Sequence, residues 1–301
     1  MKAHPRPGRK ASSARALVIA LTTAATVAAA AGIAAAPREA LAQRKPGKSA
    51  APSSPPLPPP VDVKAIERGL QSRDAAEVLA ALGAAQSAGA AAAGAARAIE
   101  DLLRRGATPP ILKAAIQALG ALGTASSSAA LRPYVQHRAA DIRREAARAL
   151  AATRGPEAVA ALREGLRSSD GMVRGLAAAG LGGLGSSEAL PDLFTALDRD
   201  VTEAAASIGR LCDADACQRL LERLGRVGFD VMTSGIDPML FRPKPLPEDV
   251  QLAIVRRVRD LGTPEAGRYL ADVGSRWPAG ASPRVKEALA AAVASIPGAG
   301  S

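Results

Sequence analysis

The chain has 301 residues, is 48% hydrophobic, carries a formal charge of +11, and contains one Trp, two Tyr, three Phe, two Cys and two His. So few aromatic rings leave little for stacking on bases or sugars. The positive charge is also unevenly placed: residues 1–42 hold six Lys/Arg against one Glu, residues 43–60 hold three more basic groups, and the remainder has 30 basic against 27 acidic residues. A nucleic-acid binder concentrates its positive charge on one face, so a nearly balanced body argues against that class.

In chain order, Lys2, Arg6, Arg9, Lys10 and Arg15 come first, followed by an uncharged run over 16–36 and by Ala40-Leu41-Ala42, the small-x-small pattern of a signal-peptidase site. The expectation is a leader over 1–42 that is cut between Ala42 and Gln43. A run of this length also suffices for an uncleaved anchor, but its many Ala and Thr make it weakly hydrophobic, which favours cleavage. Either way the remainder leaves the cytoplasm, for the periplasm or the exterior of a bacterial cell, and after cleavage no membrane span is expected. Residues 43–60 carry Pro46, Pro52, Pro55, Pro56, Pro58, Pro59 and Pro60 and read as an extended, semi-rigid spacer.

From about residue 109 to 199 the sequence repeats itself every 31 residues. Ile111, Ile142 and Val173 keep this step, as do Ala115, Ala146 and Ala177, then Leu119, Leu150 and Leu181. Leu131, Leu162 and Leu193 repeat it in the second half of each unit, and Gly123, Arg154 and Gly185 fall between. Offsets of 0, +4 and +8 lie on one face of a helix. Each unit is therefore two helices and a turn, and such units bury their apolar faces only by stacking on neighbours. Before the regular part, Val61 to Arg105 reads as a stretched first repeat whose first helix ends near Leu82-Gly83. After it comes a short fifth repeat, then about 19 extra residues centred on 226–247. A sixth repeat begins at Val250 with its turn at Leu261-Gly262-Thr263-Pro264-Glu265, and Val285, Leu289, Ala292 and Val293 mark a final single capping helix. The fold class is all-α: a solenoid of stacked antiparallel helical hairpins, about six repeats plus a C-terminal cap.

The pattern hydrophobic-Arg-x-x-Ala-x-x-Ala-Leu, as in Ile142-Arg143 through Leu150 and Val173-Arg174 through Leu181, resembles the short HEAT-like repeats, including those of phycobilin-lyase-type proteins. The resemblance covers Val61 to Ile296. It implies a solenoid whose second helices line a concave binding face, and it leaves activity open, since such proteins range from scaffolds to lyases and hydroxylases. The metal-dependent hydroxylases of this fold carry His-Glu pairs, whereas His4 precedes Pro5 and His137 precedes Arg138.

Chemistry is sparse. His137 is the one histidine after the leader, so a His-based metal or nucleophile site would rest on it alone. It reads as a solvated helix residue. No cofactor or metal is expected. Cys212 and Cys217 straddle one hairpin turn and, in an oxidising compartment, read as a disulfide. The segment 226–247 reads as an apolar loop carrying Phe229, Met239 and Phe241 that covers the solenoid, binds a partner, or both. Beside the core leucines of the second helices lie Arg132, Arg163, Arg167, Arg199 and Arg223. Together with the three apolar residues they are the candidate contacts for a protein partner. The reading is an exported, non-catalytic interaction scaffold; the alternatives are a lyase-like enzyme or enzyme chaperone, and a module tethered by an uncleaved anchor.

Overall fold

The computed structural model describes residues 61–298. The expected leader, its Ala42/Gln43 cleavage point and the Pro-rich linker lie outside them. The helices are α1 (Val63–Leu70), α2 (Ala75–Ala88), α3 (Ala96–Arg105), α4 (Pro109–Leu122), α5 (Ser127–Leu131), α6 (Ala140–Thr153), α7 (Pro156–Gly165) and α8 (Gly171–Leu184). Then follow α9 (Leu190–Leu197), α10 (Glu203–Leu211), α11 (Ala214–Leu221), α12 (Phe229–Leu240), α13 (Glu248–Arg259), α14 (Pro264–Arg276) and α15 (Pro283–Ser295). Short 3-10 stretches join α2 to α3 and extend α5, and no β-strand occurs among the described residues.

Local sequence sets the helix ends. The side chains of Asp74, Asp170, Asp213, Thr263 and Ser282 accept first-turn amides at the starts of α2, α8, α11, α14 and α15, satisfying donors that the helix itself leaves unpaired. Gly123 and Gly185 close α4 and α8 in the left-handed region. Arg154 takes the same conformation after α6 at φ 53°, a position that costs a residue with a Cβ about 1 kcal/mol.

From α2 onward the even-numbered helices form one row and the odd-numbered helices a second, with α1 packed on α2 at the start. From α2 to α12 first-row neighbours are in close backbone contact, and small residues make this possible. A Cβ added to Gly120 of α4 would sit 2.9 Å from Ala149 of α6, one on Gly180 of α8 would sit 2.9 Å from Ala151, and one on Gly182 would sit 2.6 Å from the Cβ of Ser207 in α10. Gly209 of α10 faces Gly235 of α12, where an added Cβ would lie 1.9 Å from the Gly235 carbonyl oxygen. The apolar side chains of both rows meet between them; Leu82, Ile116, Leu150, Leu181, Ile208 and Leu220 are fully buried there.

The regular part of the array is as expected, and its two ends depart from the sequence reading. The first helix of repeat one runs through Leu82-Gly83 to Ala88, because Gly83 is not in the left-handed region and the helix ends instead at Gly89, at φ 55°. The segment 226–247 is not a loop: residues 229–240 form α12, which takes a first-row place against α10. This extra helix pushes α13, the expected first helix of repeat six, into the second row against α11. Correspondingly α14 enters the first row, where the Tyr269 hydroxyl donates to Asp237 of α12 at 2.8 Å. α15 pairs with α13 in the second row and is no lone cap.

Candidate functional site

The motif arginines come first. Arg143, after Ile142, donates from Nη1 to the carbonyls of His137 and Arg138, each at 2.9 Å. Arg174, one repeat on, does the same to Ser168 and Ser169 at 2.9 and 3.2 Å. Each therefore satisfies carbonyls in the link that follows a second-row helix. Asp170 joins these units, since it caps α8 through the Met172 amide and accepts from Arg144 at 3.0 Å while Arg143 stands 3.7 Å away. Burial opposes ionisation of Asp170, but the Arg144 and backbone hydrogen bonds outweigh it and hold its carboxyl below the usual range.

The arginines expected to meet a partner are mostly engaged with the next repeat. Arg132 grips Glu157 at 2.6 Å and also Glu164. Arg163 pairs with Asp192 at 2.6 Å, and Arg167 approaches the same carboxylate at 3.7 Å. Arg223 makes two 2.8 Å bonds to Asp198 and lies with Arg219 over the Phe194 ring. Arg199 is exposed, on a groove of about 450 Å³ that Arg167, Arg174 and Asp192 also line. The second row from α5 to α11 is thus bridged by long charged side chains where the first row is joined by small ones.

Asp198 is held below the usual carboxylate range by the Arg223 hydrogen bonds, with burial opposing. A lowered folded-state value means that Asp198 and Asp170 contribute stability above the ordinary carboxylate pKa, and that this contribution fades as pH falls through their lowered values. Thermal melts from pH 6 down to pH 2 should show stability falling most steeply below pH 4, and the double variant Asp170→Asn, Asp198→Asn should flatten that fall. An unchanged acid limb in the double variant would rule out these pairs as its source.

The three apolar candidates lie inward. Met239 has no exposed surface, so it is a core residue and not an interface anchor. Phe229 is half-buried, edge-on to Tyr269 with centroids 5.9 Å apart. Phe241 packs on Trp277 and under the Arg276 guanidinium, which lies 4.6 Å from its ring centre. Phe229 and Phe241 tie α12 to α14. Tyr269 is pushed well above its ordinary pKa, chiefly by burial and then by Asp237, so it stays a neutral donor.

Cys212 and Cys217 are joined by a disulfide, with their Cα atoms 5.2 Å apart. Both are buried, and Arg242 donates to the Cys212 and Gly209 carbonyls at 2.9 and 2.7 Å, covering the end of α10. Alkylation of unfolded, unreduced protein should add no label, and prior reduction should allow two; two labels without reductant would refute the bridge. Replacing both cysteines with Ala should preserve helical content, because so short a loop contributes less than the roughly 3 kcal/mol of a 15-residue one.

His137 lies in the link before α6, at the end of the 3-10 stretch that extends α5, where its Nδ1 accepts the Ala139 amide at 3.2 Å and its ring leans on Tyr134. Among the described residues no three His, Cys, Asp or Glu side chains gather as metal ligands would. Open grooves do occur along the second row. One of about 620 Å³ lies between α11 and α13 and one of about 530 Å³ between α13 and α15. The sequence reading missed the second of these, because it took α15 as a single terminal helix and did not weigh the face it shares with α13; its one available signal was the run Val255-Arg256-Arg257-Val258-Arg259.

Residues 96–179, from α3 into α8, match the family of HEAT repeats. No curated protein matches the chain. Among solved structures the chain is similar to an engineered protein at 20% identity, covering 78% of this chain and 96% of that one with a TM-score of 0.39. It is also similar to the complex of CpcE and CpcF of phycocyanin lyase from Nostoc sp. PCC7120, at 16% identity over 83% and 98% with a TM-score of 0.42. A designed armadillo repeat protein is similar at 14% identity over 78% and 100%, TM-score 0.39.

Proposed function

We propose that this HEAT-like repeat solenoid is an exported, non-catalytic scaffold whose second row of helices binds a protein partner. The observation that carries the reading is the contrast between the rows. First-row helices close on one another through glycine, alanine and serine and leave one groove of about 400 Å³ across α8, α10 and α12, whereas the second row is spanned by Arg–Asp and Arg–Glu bridges and has the larger grooves beside α7, α11 and α13. An extended surface with mixed charge and apolar floors has the composition of a protein-binding face. Export is supported by the leader pattern of residues 1–42 and by the Cys212–Cys217 bridge, which persists in oxidising compartments.

A photo-crosslinking amino acid at Gln218, exposed on α11, should yield a discrete adduct in native envelopes, while one at Ala179, exposed on the first-row helix α8, should not. Adducts only from Ala179, or from neither position, would remove the second row as the binding face. Sequencing the N-terminus of the recovered protein should give Gln43. A soluble cytoplasmic protein would overturn export, and intact residues 1–42 in a membrane pellet would overturn cleavage.

A further inference from the structure

We propose that the groove between α13 and α15 docks an acidic segment of the partner protein, an inference that rests on the scaffold reading and names the chemistry of its partner. The floor is apolar, made by Leu252 and Val255 of α13 and by Ala288 and Ala292 of α15. Arg256 and Arg259 rise on one wall and Arg284 on the other, against the single carboxylate of Glu287. Three guanidinium groups over an apolar floor complement carboxylates that flank a small aliphatic side chain.

The neighbouring groove sharpens the choice. Between α11 and α13 the lining has Asp215, Glu222 and Asp249 against Arg257, the reverse polarity. Helix α13 therefore separates a positive trough from a negative one, and an acidic segment is drawn to the first and repelled from the second. The arginines of the positive trough are available. Arg256 bonds only the Leu252 carbonyl of its own helix, at 3.3 Å. Arg259 and Arg284 hold Asp260 and Glu248 in pairs that are largely exposed, of a kind worth little in water and easily exchanged for another carboxylate.

Dimensions fix the size of the occupant. Glu248, opening α13, bonds both Ser282 and Arg284 at the start of α15, so the two helices run parallel. Arg284 then stands toward one end of the trough and Arg259 toward the other. The helical rise from Leu252 to Arg259 is about 10 Å, the length of three to four extended residues. The extra helix α12 sets the trough in the second row, with α13 and α15 as its walls. With 12 and 13 residues, α13 and α15 are longer than the eight-residue α9 and α11 beside them in the second row.

The test uses the full chain and a fluorescein-labelled peptide with two glutamates separated by leucine and alanine, read by anisotropy. Saturable binding is expected, with affinity falling as salt rises and no binding of the counterpart carrying lysines for the glutamates. The double variant Arg256→Glu, Arg284→Glu should weaken binding at least tenfold, while Arg257→Glu, which changes charge in the other trough, should stay within twofold. Circular dichroism of each variant checks that the helices persist, as the exposure of all three side chains predicts. No saturable binding, equal affinity in the double variant, or an equal loss in Arg257→Glu would each overturn the proposal. Retained peptide affinity in the double variant alongside a crosslink from Gln218 would remove the trough and leave the scaffold standing. Binding as expected with no second-row crosslink would do the reverse.

Discussion

Changing Gly209 to alanine is expected to destabilise the protein by about 3 kcal/mol or more, at the upper end of what overpacking a core costs. The new methyl would lie 1.9 Å from the carbonyl oxygen of Gly235 and 3.0 Å from the Pro238 ring. The first of these neighbours is backbone, so no rotamer change relieves the clash and α10 and α12 must separate. Because each unit of a stacked array leans only on its neighbours, the loss should be regional. Hydrogen exchange should accelerate in α12 to α15 well before it does in α4 to α8. Gly183 is the control: it lies within α8 with nothing inside 4 Å of an added Cβ, so Gly183→Ala should stabilise by about 0.5 to 1 kcal/mol through helix propensity alone. Equal effects at the two glycines would refute the close approach.

The triple change of Phe229, Met239 and Phe241 to serine separates a core from a docking loop. Met239 is wholly buried in the core, and Phe229 and Phe241 wedge against Tyr269 and Trp277 between α12 and α14. Truncating one buried Met costs about 2 to 5 kcal/mol. The triple variant should exceed that and lower the melting point by about 10 °C or more, at 2 to 4 °C per kcal/mol for a domain of this size. A melting point within a few degrees of the parent would show that the three residues are not core.

The period of 31 was legible because nearly all its carriers are buried: Ile142 and Val173, Ala115, Ala146 and Ala177, and Leu119, Leu150 and Leu181 lie in the core, with Ile111 of the first unit partly buried against it. What stayed hidden was the row to which a helix belongs. The stripe Gln251, Ile254, Val255 and Val258 that α13 buries would serve equally in either row, and the turn at Leu261 to Glu265 copies the turn at Arg154 to Glu157, so α13 read as a first helix. The four prolines of 238–247 read as loop, yet Pro238 is accommodated in the last turn of α12, where its ring meets Gly209. The arginines were visible as a periodic set, Arg132 and Arg163 being 31 apart, but a list of cations does not reveal their partners. The signal was present all the same: Glu157 and Asp192 follow these arginines by 25 and 29 residues, close to one repeat, so that each bridge spans two units.

A two-row array counts its helices by parity, and α12 is an odd insertion. Every helix downstream of it keeps its sequence and exchanges its side of the molecule. A family of such arrays can therefore present a quite different surface without altering a residue of that surface, by gaining or losing one helix upstream. Gain or loss of a hairpin would preserve the sides and alter only the length. Insertions of a single helix are thus the events to look for where two arrays share repeats but not the face they offer.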